Sequence, residues 1–342
     1  MLPITTPPIV GAPMRMVTGP HLTAAVAAAG AISFLGAGYD LETLSAQVKE
    51  TLELLPQDHG ASDNSGGSQS SAEEKILPFG FGFLVWKLNL LEVLVEVTKH
   101  RPCAVWLFAA NNPTEMVAWV KEFKSKVGWC RVFVQISTAR EAVDLVEAGA
   151  DVIVAQGADA GGHGAVSAAG TLSVVREIVE AVGHRVPVVG AGGIVDGKGI
   201  AAVLAAGADA VALGTRLLAT DESIAPRAWK ELVASTSEGG INTVRTRIYD
   251  ELRGTGDWPK IFNGRAIIND TYLDQQRGVD EETNRQRFAE AAVKGDFSRV
   301  TAFAGTGVGQ IKQITRVEDL IERLQKDAKA ALREAALRFS SV

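Results

Sequence analysis

Two cysteines in 342 residues, Cys103 and Cys130, exclude a disulfide framework, and neither stands at a metal-ligand spacing. No His/Cys/Asp/Glu set elsewhere has such a spacing, so no metal is expected. Excess positive charge is missing too. Lys and Arg number 34 against 40 Asp and Glu, with no basic stripe, which argues against nucleic-acid binding. No apolar run reaches the roughly 20 residues of a membrane-spanning helix. The first eight residues have neither the charged nor the apolar part of a secretory leader. The last three are not the peroxisomal Ser-Lys-Leu tail. With so little cysteine, a reducing, cytoplasmic location is the expectation. No Gly-x-Gly-x-x-Gly follows the first apolar run and no Gly-Lys-Ser/Thr occurs, so Rossmann and Walker A phosphate sites are excluded.

Glycine is plentiful instead, 35 in all, and it recurs where apolar runs end. Eight runs read as strands: Pro8–Pro13, Ala31–Leu35, Ile76–Phe83, Ala104–Phe108, Arg131–Ile136, Asp151–Ala155, Pro187–Gly190 and Ala210–Leu213. Helical patterns separate them, from His21–Ala29 through Leu41–Leu54, Leu88–His100, Thr114–Val127, Ala139–Glu147 and Leu172–Val182 to Gly199–Ala205. Such alternation predicts parallel βαβ units. Eight of them predict an α/β protein with a closed (β/α)8 TIM barrel. The quartet Ala-Gly-Ala-Asp precedes two strands, at Ala148–Asp151 and Ala206–Asp209, about two units of roughly 30 residues apart.

Two regions break the pattern. Residues 57–75 are rich in Ser, Gly, Asp and Asn and read as a flexible insertion between the second helix and the third strand. From about residue 222 the alternation is lost. The expected division is residues 1–221 for the barrel strands and active-site loops, and 222–342 for the last barrel helix plus a mixed lid. Ser223–Ser235 is the candidate for that last helix.

The segment Gln156-Gly157-Ala158-Asp159-Ala160-Gly161-Gly162-His163-Gly164 follows the sixth strand and sets one imidazole among small residues. Glycines let backbone approach a flat ligand, and an imidazole exchanges protons near neutral pH. After the seventh strand comes Ala191-Gly192-Gly193-Ile194, and after the eighth Gly214-Thr215. Loops at these two positions form the usual phosphate site of such barrels. Thr215 can add a hydroxyl donor. Asp159 is placed either to orient His163 or to solvate its loop. His21, His59, His100 and His184 read as capping or solvated histidines. Trp86 reads equally as pocket wall or core, and Ser167 as a second polar contact.

Three motifs together resemble the nitronate monooxygenase (2-nitropropane dioxygenase) family. They are Gly11-Ala12-Pro13-Met14 with the following Leu22–Gly30, the Gln156–His163 segment, and Ala191–Ile194 with Gly214-Thr215. The similarity spans about residues 8–222, and Gly305–Gln310 resembles a late glycine-rich segment of the family. The resemblance implies an FMN-dependent oxidoreductase. It would oxidise alkyl nitronates, or nitroalkanes, with dioxygen to carbonyl compounds and nitrite.

It also implies site roles. His163 would be the catalytic base or nitro-group partner. Ala12, Pro13 and Met14 would line the flavin ring. Gln135 and Gln156 would hydrogen-bond ring or ribityl chain. Gly161, Gly162, Ala191, Gly192, Gly193, Gly214 and Thr215 would cradle ribityl and phosphate. Many relatives have Ser where Ala191 stands, and some an Asn in the third strand, where this chain has Gly80-Phe81-Gly82-Phe83. The partners expected are a small nitro compound and dioxygen, with a homodimer left open. One alternative is an FMN-dependent, NAD(P)H-using enoyl reductase on the same scaffold. Another is a phosphate-ligand-binding barrel without catalysis.

Overall fold

The computed structural model of the protein describes residues 5–56 and 75–339. The insertion expected at 57–75 lies almost wholly outside them, as does His59. Parallel strands β1 (Ile9–Gly11), β2 (Phe34–Gly38), β3 (Gly80–Leu84), β4 (Ala104–Phe108), β5 (Arg131–Ile136) and β6 (Val152–Gln156) run side by side. After them come β8 (Val188–Ala191) and β9 (Ala210–Leu213), and β9 pairs with β1. A parallel bridge between Val10 and Ile32 closes the ring. There the Gly11 N–H donates to Ile32 O at 2.8 Å and the Ile32 N–H to Ile9 O at 3.0 Å. The eight-stranded barrel expected from the alternation is therefore present.

Its strands are apolar on both faces, as buried parallel strands must be. Phe34, Trp106, Phe133, Val154, Val189 and Ala212 point inward as one cluster. Their neighbours Leu35, Val105, Val132, Ile153, Val188 and Val211 belong to the layer between strands and helices. The inner filling is aromatic: Phe34 meets Trp106 at 5.4 Å and Phe133 at 5.2 Å, both edge-on. Gly80 makes room, since a Cβ there would lie 2.5 Å from the Phe34 ring.

Helices α1 (Pro20–Ala28), α2 (Leu44–Leu54), α3 (Leu90–His100), α4 (Pro113–Lys126), α5 (Ala139–Ala148), α6 (Thr171–Val182) and α7 (Gly197–Ala205) form the outer ring. Their caps are legible. Thr138 accepts from the Glu141 N–H at 3.2 Å while the Glu141 carboxylate takes the Thr138 hydroxyl at 2.7 Å, which starts α5. Gly149 ends it in the left-handed region at φ 105°.

The eighth outer helix is not the 223–235 segment. That place is taken by α14 (Val317–Phe339), which packs against α7 and α1. Val317, Leu320, Ile321, Leu324 and Ala328 form its buried stripe at helical spacing. A Cβ on Gly197 would lie 2.4 Å from Asp327, so the two helices meet backbone to backbone. The candidate segment forms α9 (Arg227–Ser235) instead. It packs against the short 3-10 turn Thr306–Gln310, outside the ring.

Between β9 and α14 the chain builds a cap. After α8 (Thr215–Leu218) and α9 come α10 (Gly239–Asn242), β10 (Thr243–Thr246), α11 (Ile248–Leu252), β11 (Phe262–Ile267), α12 (Asp270–Gln276) and α13 (Glu281–Lys294). Strand β7 (Gly162–Ala165), from the segment after β6, pairs antiparallel with β11, which pairs with β10. Among the described residues no helix is long and apolar enough to cross a membrane.

Candidate functional site

A cavity of about 220 Å³ opens at the C-terminal ends of the barrel strands, the catalytic face of this architecture. The residues to which the family resemblance gives a catalytic or flavin-binding role all line it: Ala12, Pro13 and Met14 after β1, Gln135 and Gln156 closing β5 and β6, and Gly161, Gly162 and His163 at β7. Ala191, Gly192 and Gly193 follow from β8, with Gly214 and Thr215 from β9. Trp86 and Ser167 are not among the lining residues. His21 pairs with Glu50 at 3.5 Å and His100 with Ser45 at 2.9 Å, both on the outer helices.

The first loop is seated by glycines on neighbouring strands. A Cβ on Gly36 would fall 2.5 Å from Met14 O, and one on Gly82 would fall 2.1 Å from Pro13 Cβ. Gly82 in the third strand stands where Pro13 rests. Thr18 fixes the turn, its hydroxyl donating to Ala12 O at 3.0 Å and accepting from the Met14 N–H at 3.1 Å.

Gln135 accepts the Trp106 indole N–H on Oε1 at 2.9 Å, which orients the amide and leaves its amino group as a donor. Gln156 donates from Nε2 to His163 O at 3.1 Å, so it holds the backbone of β7.

Gly192 and Gly193 lie at φ 118° and 68°, conformations that suit glycine. Thr171 pins this loop, its hydroxyl donating to Gly192 O at 3.0 Å. The late glycine-rich segment folds back onto it. Gly305 N–H donates to Thr215 Oγ1 at 3.0 Å, and Thr306 N–H to Asp159 O at 2.9 Å. Thr215 keeps its own hydroxyl proton to donate.

Asp159 does not touch His163. Its carboxylate accepts from the Thr171 N–H at 2.7 Å and from the Thr306 hydroxyl at 3.3 Å, so it joins two loops. The partner of His163 is Asp250 in α11, with Oδ2 2.9 Å from His163 Nε2. Both side chains are almost wholly buried. The other Asp250 oxygen accepts from Arg253 Nη2 at 3.1 Å and from the Thr255 hydroxyl at 3.2 Å. Trp258 stacks flat on the imidazole, 3.7 Å between centroids and 3° between planes, and Phe303 meets it edge-on at 5.4 Å. Burial lowers the His163 pKa below the usual 6.5; Asp250 opposes this, and Arg253 and Arg245 add to it.

Asp250, Arg253, Thr255, Trp258 and Phe303 carry no motif, and the sequence analysis missed them. No local signal separates Asp250 from its neighbour Glu251 in Ile-Tyr-Asp-Glu-Leu at 248–252; only the fold of α11 buries the first of the two acids. Two half-buried guanidiniums of the cap hold the loop between β6 and β7. Arg245 donates to Ala160 O at 3.0 Å and Arg265 to Ala158 O at 3.0 Å. Burial, then the nearby Arg265, pushes the Arg245 pKa down to about 10, which leaves it charged at neutral pH.

Comparison with known proteins shows the family and the fold. The sequence profile described as nitronate monooxygenase matches residues 83–327. The nitronate monooxygenase npaC of Metarhizium robertsii is 38% identical, over 97% of this chain and 94% of that protein. A nitronate monooxygenase of Neurospora crassa is 32% identical, over 96% and 90%. Among solved structures, FabK from Thermotoga maritima superposes with a TM-score of 0.74 at 23% identity, over 97% and 96% of the two chains, a likeness of fold. Nitroalkane oxidase from Streptomyces ansochromogenes gives 0.71 at 26%, over 96% and 97%. The profile match over most of the chain and the relatives at 38% and 32% identity show that the chain is an oxidoreductase and belongs to the flavin-dependent nitronate monooxygenase family.

Proposed function

We propose that this protein binds FMN and oxidises alkyl nitronates with dioxygen to carbonyl compounds and nitrite, and that it accepts neutral nitroalkanes after removing their α-proton. One observation carries the reading: the loops after β1, β8 and β9 and the imidazole of His163 share a single cavity. The residues present fit a phosphate-bearing flavin. Backbone N–H groups of Gly192, Gly193 and Gly214 and the hydroxyl of Thr215 would hold the phosphate, although Ala191 offers no hydroxyl. Gln135 would donate from its free amino group to the ring or ribityl chain. Ala12, Pro13 and Met14 would back the ring.

When bound, the flavin supplies the electron acceptance and the chemistry with dioxygen. The chain supplies the rest. A neutral imidazole at His163 removes the α-proton of a nitroalkane, and the electron pair of the broken C–H bond passes into the nitro group. For a substrate already ionised, the same side chain hydrogen-bonds the nitro oxygens. Trp258, Phe303 and Phe108 are apolar walls that keep water from the reacting atoms.

Purified protein should be yellow, release FMN on denaturation, and form nitrite in air from a nitronate. A colourless protein that takes up no FMN would overturn the cofactor assignment and favour a ligand-binding barrel. NAD(P)H oxidation with an enoyl thioester, without nitrite, would favour the reductase. His163→Asn should keep FMN and lose about 10²- to 10⁴-fold in turnover of neutral nitroalkanes. Unchanged turnover would remove His163 as the base.

A further inference from the structure

His163 has two ring nitrogens, and a base must present a lone pair on one of them. The contacts of Asp250 decide which. Its Oδ1 receives two donors, Arg253 Nη2 and the Thr255 hydroxyl, and its Oδ2 faces His163 Nε2. A carboxylate whose Oδ1 already takes a guanidinium and a hydroxyl offers an acceptor at Oδ2 too, so Nε2 carries the hydrogen on that side. Nδ1 makes no hydrogen bond to any described residue. Asp250 is 1% exposed and does not line the cavity, so it acts through the imidazole rather than on substrate.

We propose that Asp250 is a positioning residue that holds His163 as the Nε2–H tautomer, so that Nδ1 takes the α-proton of a neutral nitroalkane. This deepens the functional reading above and rests on it. In the step, the substrate C–H bond breaks, its proton moves to Nδ1, and its electron pair enters the nitro group to give the nitronate. The imidazolium so formed is paired with the Asp250 carboxylate at 2.9 Å. The stacked Trp258 ring prevents the imidazole from tilting, so the carboxylate and the indole together fix both its rotation and its plane. This division of labour, with a buried carboxylate fixing tautomer and orientation, is the one that makes a histidine base effective in hydrolytic triads.

Charged groups around the imidazole bear on its titration from each packed element. Asp250 in α11 favours the protonated ring, and Arg253 just after α11 and Arg245 on β10 oppose it. Arg265 lies on β11, paired in register with Gly162. Trp258 and Phe303 bring no charge. Removing Asp250 therefore leaves the imidazole facing only cations.

The test is Asp250→Asn, assayed in the flavin-loaded protein on a neutral nitroalkane and on its preformed nitronate. The ratio of the two turnovers should fall by on the order of 10², because only the nitroalkane needs a proton removed. The acid limb of the nitroalkane kcat/KM profile should move to lower pH, and Asp250→Glu should restore part of the ratio. Parallel loss on both substrates, or an unmoved ratio and limb, would overturn the proposal.

A second measurement does not depend on turnover or on the Asp250 variants folding. In ¹⁵N-histidine NMR of the wild-type protein, the signal absent from His163→Asn should show a protonated Nε2 and a bare Nδ1 at neutral pH. A protonated Nδ1 with a bare Nε2 would overturn the assignment. If no nitronate yields nitrite while the NMR shows the Nε2–H form, the functional reading fails and the tautomer assignment stands.

Discussion

His163 is buried, and burial lowers its pKa below 6.5 although Asp250 pulls the other way. The consequence for activity follows from the sign. In the proposed role the neutral ring takes the proton, so kcat/KM for a neutral nitroalkane should stay level as pH falls past 6.5, and drop only where the depressed group takes its own proton. A limb at or above the ordinary imidazole value of about 6.5 would contradict this. Stability follows the same linkage. Between the folded value and 6.5 the unfolded chain binds the extra proton, so this group's contribution is complete above 6.5 and is lost as pH falls through that window. The identity of this histidine was legible, because it stands among glycines right after an apolar run. Its partner was not. Asp159, four residues away, was the only acid within reach along the chain, yet its carboxylate is already taken by Thr171 and Thr306.

Strands β4, β5 and β9 lie where the apolar runs put them, since each is a short, mostly apolar block with no glycine inside it. β2 does not. The apolar run suggested Ala31–Leu35, but the strand is Phe34–Gly38. Two of its last three residues are glycines with other chain lying close over them, Gly36 under Met14 and Gly38 under Arg15, and strand propensity does not report such packing. Gly82 in β3 is the same kind of residue. Gly82→Ala should force Pro13 off the strand, at about 1–3 kcal/mol for an overpacked site. Because Pro13 lines the cavity, the purified variant should also carry less flavin per subunit. Full flavin content with an unchanged melting temperature would show that the loop after β1 tolerates the shift. β7 was hidden for another reason. Gly162–Ala165 has no strand propensity, and only the ladder offered by β11 makes it extended.

The whole molecule is a ring of βα units closed by a helix from the far end of the chain. Reading in order assigned the eighth position to the next helical segment after β9, and the structure assigns it to α14. The segment 227–235 buries only Lys230 and Val233 of its own residues and packs on the cap instead. α14 has a stripe of five buried residues over three turns. Leu320→Ala should therefore destabilise the barrel itself, by about 2–5 kcal/mol in denaturant titration. A loss under 1 kcal/mol would mean that α14 is an appendage. With α14 in the ring, everything between β9 and α14 is free to serve as a cap, and that cap delivers Asp250, Trp258 and Phe303 to the cavity.

The sequence by itself determined the barrel, the cavity's glycine loops and the one imidazole. Each of these is written locally, as an apolar block followed by a turn that only glycine and small residues can make. The tertiary structure alone decided which acid faces His163, which helix closes the ring, and that the segment after β6 becomes a strand. The carboxylate stands 87 residues from the imidazole it contacts. No period or spacing encodes a distance of that kind. It arises because β7 finds its ladder partner in β11, and the same cap that supplies β11 buries α11 against the histidine.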